Sequence, residues 1–366
     1  MQVESKITGQ KETATIVELF FHLIRCGMGK AKELPRTPGV QEWDELFSIA
    51  KKQTLAGIAF AGIEKLPQEQ RPPKTVLLQW YNLATLIKKI NADLNRKCAI
   101  VSGKFKSESF ANCILKGQGL AQLYPDPTLR TPGDIDIWLM GEREEILGYV
   151  RRHVPNCKPV YHHVDFPVVK DVDIEVHFTP TWMNSPVTNR RLQKFFREQS
   201  SFSFSSSSKA LPTPDLAFNR VYILVHIYRH LFAEGIGLRQ LLDYYFVLCQ
   251  GFTEEEREET MRALRALKMQ RFATAVMWVL QQVFGMDSRY LLTAPNEQEG
   301  RFLLSEIMLA GNFGQYDERV QHVKGESRLH WGLRKVVRNF RFVRSYPSEV
   351  LWSPLFKLWQ FFFFKG

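Results

Sequence analysis

The stretch Gly133-Asp134-Ile135-Asp136-Ile137-Trp138 decides the fold of this chain. It places two carboxylates two residues apart in an apolar run, and a β-strand turns residues i and i+2 to the same face. We therefore expect Asp134 and Asp136 to point the same way from a strand over 135–139. Two like charges held this close are unfavourable unless a cation or a proton neutralises them. Mg²⁺ or Mn²⁺ is the usual cation for hard oxygen ligands, which indicates phosphoryl or nucleotidyl transfer.

A second candidate strand, at 172–178, supplies a third carboxylate. Its strict alternation puts Asp173, Glu175 and His177 on one face and apolar residues on the other. A solvated face of an open sheet gives the same pattern. Beside the strand that carries Asp134 and Asp136, however, Glu175 completes the three-carboxylate set that metal-assisted phosphoryl transfer uses.

The turn Lys116-Gly117-Gln118-Gly119 is the candidate phosphate contact. Glycine lets backbone N–H groups approach phosphate oxygens, and lysine adds a point charge. The spacing excludes a Walker A motif and a dinucleotide fingerprint, and a lone turn of this kind is also an ordinary connection from a strand to a helix. Arg130, just before the acids, is placed to meet phosphate or to pair with a carboxylate. The predicted nucleotide-binding residues are Lys116, Gly117, Gln118, Arg130 and Gly133.

Composition predicts a soluble globular protein. The chain has 366 residues, of which 45% are hydrophobic and 24% are charged, enough for two or three domains with real cores. Its five cysteines are scattered without a CxxC pair, which favours reduced thiols in a cytoplasmic protein and no disulfide partner. No apolar stretch reaches the roughly 18 residues that a membrane-spanning helix needs. Charges precede the first apolar run, so the N-terminus does not resemble a secretory signal.

The spacing of apolar residues divides the chain into four segments. Helical periodicity at the N-terminus includes a long helix over 76–95, and a mixture of strands and helices follows it. The serine-rich segment 200–208 fits a linker, but its alternating phenylalanines slightly favour an edge strand. The predicted segments are a helical N-terminal module (1–100), an α/β core (101–210), a helical C-terminal domain (211–318) and a basic aromatic tail (319–366).

The tail contributes much of the formal net charge of +11, because 319–366 holds ten Lys and Arg against two Glu. Such asymmetry indicates an anionic partner, whether nucleic acid, a membrane surface or a nucleotide. The part 328–366 combines a basic amphipathic helix with an aromatic-rich end, a composition that fits a membrane interface. Docking of the tail on its own helical domain or on another subunit is the leading interpretation. Peripheral membrane contact and binding to an anionic polymer such as nucleic acid are the alternatives.

Two polar pairs with helical spacing lie in the C-terminal domain. His226 and His230 share a helix face, but without an HExxH motif they favour buried structural histidines over a zinc site. Arg239 and Asp243 have the same spacing and are predicted to form a structural ion pair. The functional alternative is that Arg239 lines a nucleotide-binding cleft.

Together these motifs resemble the nucleotidyltransferase superfamily whose best-known member is DNA polymerase β. In that superfamily a glycine-containing turn precedes an Asp-x-Asp strand, and a third acid follows on a later strand. The chain looks most like a bacterial branch of uncharacterised nucleotidyltransferases. Gln118 departs from the pattern, because the superfamily's turn has Gly-Ser or Gly-Gly at that point. The likeness is carried by Leu115 to Asp136, Ile174 to Phe178, Leu238 to Asp243, His226 and His230.

The resemblance implies an α+β fold, with a small mixed-sheet nucleotidyltransferase core flanked by helical N- and C-terminal modules. It also implies transfer of a nucleoside monophosphate from a nucleoside triphosphate to an unidentified hydroxyl acceptor, with Mg²⁺ (or Mn²⁺) as cofactor and pyrophosphate as product. Asp134, Asp136 and Glu175 are then the catalytic and metal-binding residues. The alternative is a non-catalytic nucleotide- or partner-binding module with the same fold. A metal-dependent phosphohydrolase shares the acids but usually needs more histidine ligands than the sequence clusters.

Overall fold

A four-stranded mixed sheet lies in the middle of the chain, in the order β1-β2-β4-β3. The strands are β1 (Asn112–Ile114), β2 (Ile135–Leu139), β3 (His163–Asp165) and β4 (Ile174–His177). β2 and β4 pair in parallel, and β1 and β3 add antiparallel edges. The strand predicted at 135–139 is confirmed, and the strand predicted at 172–178 is confirmed in a shorter form.

The computed structural model of the protein describes residues 16–199, 211–321 and 326–364. The serine-rich segment at 200–208, with its predicted edge strand, lies outside the described residues. Helices form most of the described chain outside the sheet, so the predicted α+β class is confirmed. The four segment boundaries stay predictions. The helices are α1 (16–27), α2 (Val40–Lys52), α3 (Ala56–Lys65), α4 (Lys74–Ser107), α5 (Gln118–Ala121), α6 (Arg143–His153), α7 (Pro186–Gln199), α8 (Leu216–Ala233), α9 (Leu238–Cys249), α10 (Glu254–Ala266), α11 (Gln270–Phe284), α12 (Glu297–Ala310), α13 (Arg328–Phe340) and α14 (Pro347–Phe364).

The two faces of the sheet have opposite chemistry, as alternation along a strand requires. One face is apolar and packs into a core with the second half of α4 and with α6. The other face carries the polar residues, together with Trp138, which stacks on Phe218 of α8 with ring centroids 5.6 Å apart. The apolar face is built from Ile114, Ile135, Ile137, Leu139, Val164, Ile174 and Val176.

Helix α4 is 34 residues long, well beyond the predicted 76–95, and it belongs to two hydrophobic cores. Trp80 and Ile87 in its first half pack with the helical domains, whereas Val101 and Phe105 in its second half pack under the sheet. Between the two halves, the buried Asn91 donates hydrogen bonds to the carbonyl oxygens of residues 128 and 130, both at 2.7 Å. One helix therefore ties the segment that precedes β2 to both cores.

A buried ion pair joins the segment before β2 to α9. The Arg130 guanidinium meets the Asp243 carboxylate with two parallel bonds, Nε–Oδ1 at 2.7 Å and Nη2–Oδ2 at 2.8 Å. The Tyr124 hydroxyl donates to Asp243 Oδ1 at 2.6 Å. Asp243 therefore pairs with Arg130, and the predicted pairing of Asp243 with Arg239 is wrong. Helical spacing finds neighbours on the same helix, but it cannot see a partner that the fold brings from more than a hundred residues away.

The basic tail packs on the helical domain, as its leading interpretation expected. Arg338 donates to the carbonyl oxygens of residues 231 and 234 at the end of α8. Arg341 pairs with Glu306 at 2.8 Å, and Arg334 pairs with Glu326 through Nε at 2.8 Å. Three arginines of the tail, Arg319, Arg334 and Arg341, thus have carboxylate partners within the chain.

Contact of 328–366 with a membrane surface or an anionic polymer stays a prediction. An apolar stripe on α13 is exposed, with Leu333, Val337 and Phe340 each more than half accessible. Within the described ranges, no helix combines the length and the apolar character that crossing a bilayer takes.

The five cysteines are free thiols, three of them buried.

We expect Asp243→Asn to lower the free energy of unfolding by about 3–5 kcal/mol, because it leaves the Arg130 guanidinium buried without its counter-charge. Urea denaturation followed by far-UV circular dichroism measures the change. Glu297→Gln is the control, since it removes an ion pair to Arg301 that is exposed to solvent. A loss no larger for Asp243→Asn than for this control would contradict the structural role of the buried pair.

Candidate active site

A cleft of about 450 Å³ separates the polar face of the sheet from α8. Asp134, Asp136 and Glu175 line it on the sheet side, together with Lys116. The opposite wall is formed by residues of α8, by Phe313 and, at the tail, by Gln360. The predicted catalytic acids therefore share one cavity.

The pairing of β2 with β4 positions two of these acids. Asp136 lies directly opposite Glu175 in the parallel register, so both side chains leave the same face of the sheet. The Asp136 carboxyl is buried, whereas Glu175 is partly exposed to the cleft. Asp134 lies one residue before β2 with its side chain 43% exposed. Asp173, predicted on the same face, is exposed and lies outside the cleft lining.

Lys116 lies between the two aspartates of the motif. Its Nζ is 3.1 Å from Asp136 Oδ2 and 3.9 Å from Asp134 Oδ2. Burial acts to lower the pKa of Lys116, but the negative charges of Asp136, Asp134 and Glu175 outweigh it and raise that pKa. Burial likewise acts to raise the pKa of Asp136, but Lys116 and His177 outweigh it and lower that pKa. The lysine is therefore a cation held between the acids.

His177 connects the other side of the acidic pair. Its Nε2 is 3.0 Å from Asp136 Oδ1 and 3.3 Å from Glu175 Oε2. Burial opposes the charged imidazolium, but the hydrogen bonds to Asp136 and Glu175 outweigh it and raise the pKa of His177 to about 9. Burial opposes ionisation of Glu175 too, yet the bond from His177 lowers its pKa to about 2. Two cations, Lys116 and His177, thus neutralise much of the charge of the three carboxylates.

Sequence reasoning missed two further histidines in the cleft, His162 and His163. Nδ1 of His163 lies 3.1 Å from Glu175 Oε2 and 2.9 Å from Nε2 of His162. Burial lowers the pKa of both rings. The signal that could have found His163 is the alternation of β3, since Val164 faces the apolar core and its neighbours must face the other side.

The donor set fits a divalent cation. Two groups of three residues bring their ligand atoms within 4.8 Å of one another. One group is Asp136, Glu175 and His177, and the other is His162, His163 and Glu175. Carboxylate oxygens are the ligands that Mg²⁺ and Mn²⁺ prefer, and imidazole suits later metals. Asp134 faces the same cleft outside both compact groups, so it would approach an ion from the exposed side.

The predicted nucleotide-binding residues divide between the cleft and its margin. Lys116 lies in the cleft, and a narrow recess of about 30 Å³ beside it is lined by Gly117, Arg130 and Gly133. Gly117 has a φ of 53°, a left-handed conformation that glycine adopts without strain, at the start of α5. The Gln118 side chain is buried away from both cavities and donates to Asn95 Oδ1 at 2.7 Å. Phosphate contact by these residues stays a prediction.

Helices α8 and α9 contribute side chains that sequence reasoning treated mainly as structural, and one, Arg229, that it missed. His226, Arg229 and His230 of α8 line the cleft, and Arg239 of α9 lines the recess. The rings of His226 and His230 are 4.4 Å apart, and burial lowers the pKa of both, to about 4 for His230. The spacing of three and four residues along α8 was the available signal, because it places these side chains on one helix face.

Comparisons with known proteins bear on the family. Among solved structures, the chain is similar to one described as the crystal structure of an antigenic nucleotidyltransferase-like protein from Paracoccidioides brasiliensis. The identity is 10% over 59% of this chain and 96% of that chain, with a TM-score of 0.34, a likeness too low to carry an argument. No curated protein matches the chain.

The family model described as uncharacterised nucleotidyltransferase matches residues 40–285. This range includes the whole sheet, the acids Asp134, Asp136 and Glu175, and helices α8 and α9 opposite them. It covers about two thirds of the 366 residues, since 285 − 40 + 1 gives 246 matched positions. The chain belongs to the uncharacterised nucleotidyltransferase family.

Proposed function

We propose that this protein transfers a nucleoside monophosphate from a nucleoside triphosphate to a hydroxyl acceptor, with Mg²⁺ or Mn²⁺ as cofactor. The observation that carries the proposal is the pairing of Asp136 with Glu175 on neighbouring parallel strands, at the wall of a cleft that Asp134 also lines. Acids placed in this way form the oxygen-rich site that nucleotidyl transfer requires. Membership of a nucleotidyltransferase family supports the same chemistry.

The proposed reaction replaces one phosphoester bond with another. The acceptor oxygen forms a bond to the α-phosphorus of the nucleotide, and the bond from that phosphorus to the oxygen bridging it to the β-phosphorus breaks. Pyrophosphate leaves with the electron pair of the broken bond, and the acceptor hydroxyl loses its proton to a base in the cleft. Catalysis then depends on positioning the two oxygens in line and on neutralising the charge around the phosphorus.

The residues have separate parts in this reaction. Asp134, Asp136 and Glu175 would hold the divalent ion, which supplies charge neutralisation at the transferred phosphorus. Glu175, at the partly exposed end of the acidic pair, takes the proton from the acceptor hydroxyl. His163 and His177 both contact Oε2 of Glu175 and so fix the orientation of its carboxylate.

Lys116 favours a second candidate function, a non-catalytic module that binds a nucleotide or another partner. Its ammonium already lies between Asp134 and Asp136, where a metal ion would bind. In a catalytic protein this side chain must give way when the ion arrives and can then meet the phosphates. In a binding module it remains as the permanent counter-charge of the acids. The two functions therefore differ in how Lys116 affects metal affinity.

We expect Asp136→Asn to reduce nucleotidyl transfer by about 100-fold or more, because it removes a central carboxylate from the metal site. The measurement is pyrophosphate release with Mg²⁺, each labelled nucleoside triphosphate and a pool of metabolites as acceptors. Calorimetric titration with Mn²⁺ measures the loss of metal affinity in the same variant.

Asp173→Asn is the matched control for this variant, since Asp173 is an exposed carboxylate two residues before Glu175 and outside the cleft. It should leave both measurements unchanged. Glu175→Gln tests the same site from the partly exposed side in case Asp136→Asn folds poorly. Unchanged metal binding in Asp136→Asn and Glu175→Gln would rule out the proposed site.

The variant Lys116→Met should bind Mn²⁺ about tenfold more tightly than the unmodified protein, because it removes a positive charge 3.1 Å from Asp136 and 3.9 Å from Asp134. Electron paramagnetic resonance of free Mn²⁺ measures the affinity. Lys106→Met, at the exposed end of α4, is the control. An unchanged affinity in Lys116→Met would show that the lysine and the ion do not compete for one position.

A further inference from the structure

Two arginines, Arg229 of the cleft and Arg239 of the adjoining recess, have no carboxylate partner among the described residues. Nη2 of Arg229 donates to Nε2 of His230 at 2.8 Å, and Nη1 of Arg239 donates to the carbonyl oxygen of Thr131 at 3.0 Å. The nearest acids along the chain are engaged elsewhere, because Glu234 contacts His230 and Asp243 pairs with Arg130. Both guanidinium groups therefore present a positive charge that no acid of the described chain pairs with.

These charges lie in a poorly solvated place. Arg239 is only 7% exposed, and Nε of each arginine is buried without a hydrogen-bond partner. Burial lowers the pKa of both side chains, and for Arg239 the neighbouring Arg130 adds repulsion. Glu234 acts to raise the pKa of Arg229 and Asp243 acts to raise that of Arg239, but neither outweighs burial. A buried cation is unfavourable unless a counter-charge reaches it. The arrangement is therefore incomplete without an anion from outside the chain.

Two other buried arginines of the described chain pair with carboxylates. Arg130 has Asp243, and Arg220 has Glu256 at 2.9 Å. Arg338 donates to two backbone carbonyl oxygens at the end of α8. Arg229 and Arg239 differ from Arg130 and Arg220 in having no carboxylate partner, and from Arg338 in lining the cleft or the recess.

Both guanidinium groups are held in place by contacts that leave their charge available. Arg229 lies over the Trp182 ring, 4.1 Å from its centroid, and Arg239 lies 5.7 Å from the centroid of Phe313. Phe313 has a φ of 51°, a left-handed conformation that is strained for a residue with a side chain and that often marks a functional site. Stacking on aromatic faces orients a guanidinium without neutralising it.

The two walls of the cavity carry different charged groups, and these identify the anion. The sheet wall holds the carboxylates Asp134, Asp136 and Glu175. The helical wall holds the two arginines and one carboxylate, Glu234, which contacts His230. A metal-bound nucleotide matches both walls, because its divalent ion meets carboxylates and its phosphates meet planar guanidinium groups. We infer that Arg229 and Arg239 bind the polyphosphate of the donor nucleotide, so that α8 and α9 supply the main phosphate-binding side chains. This inference rests on the proposed function.

The test is calorimetric titration with inorganic tripolyphosphate in the presence of EDTA. EDTA removes divalent metal ions, and tripolyphosphate has no nucleobase, so the titration measures binding of the phosphates alone. The unmodified protein should bind tripolyphosphate, and Arg229→Gln and Arg239→Gln should each weaken binding by about tenfold. The double variant should weaken it by about 100-fold, and rising salt should weaken binding by the unmodified protein. Arg301→Gln, an exposed arginine of α12, is the control and should bind as tightly as the unmodified protein.

The inference is overturned if the unmodified protein does not bind tripolyphosphate, or if both glutamine variants bind it undiminished. Far-UV circular dichroism reports whether each variant is folded. Should Arg239→Gln fail to fold, Arg239→Lys keeps the charge without the planar donor pair, and a partial loss of affinity in it supports the inference. Tripolyphosphate binding that depends on these arginines, without nucleotidyl transfer, would leave the inference standing and overturn only the proposed function.

Discussion

Two carboxylates that lie side by side on neighbouring parallel strands impose the constraint on which the rest of this site depends. The register of β2 against β4 sets Asp136 opposite Glu175 and turns both to one face of the sheet. Their repulsion has to be balanced, and Lys116 and His177 balance it from opposite sides. The buried position of Asp136 makes this balance necessary, because little water reaches that carboxyl group.

The helices around the sheet pack over one part of this polar face and leave the other part open to the cleft. Trp138 continues the face of Asp136 and stacks on α8, which brings the helix close at one end of the sheet. At the other end the cleft remains open between the acids and Arg229. The buried pair of Arg130 and Asp243 then holds α9 against the segment that leads into β2. The same packing that stabilises the fold therefore sets the width of the cavity.

Local patterns predicted the centre of this structure well. The alternation of apolar and acidic residues gave the correct bounds of β2 and the shared face of Asp136, Glu175 and His177, since the two-residue period of a strand is a property of the backbone. Helical spacing also identified the N- and C-terminal modules. It underestimated α4, because Leu94, Cys98, Val101 and Phe105 continue the apolar stripe at helical spacing beyond residue 95, where the prediction ended the helix.

Long-range partners could not be predicted in this way. Asp243 has Arg239 one helical turn away, yet its partner is Arg130, which only the tertiary fold brings close. The basic tail looked like a surface for anions because its acids are few, but Glu306 and the carbonyl groups at the end of α8 engage its arginines. His163 entered the site because a short edge strand carries it there. For Asp243 and for the arginines of the tail, the partner belongs to a different element, and no periodicity of one segment encodes it.

The length of α4 has a consequence for how the molecule responds to damage. Its 34 residues span about 50 Å as one continuous rod, with the buried Asn91 between the two hydrophobic cores. If either half of the helix left its core, the backbone hydrogen bonds where the two halves join would also break. Trp80 in the one core and Phe105 in the other therefore lie on a single stiff element. The sheet that carries the acids and the N-terminal helices are therefore joined by one helix, although they do not share a core.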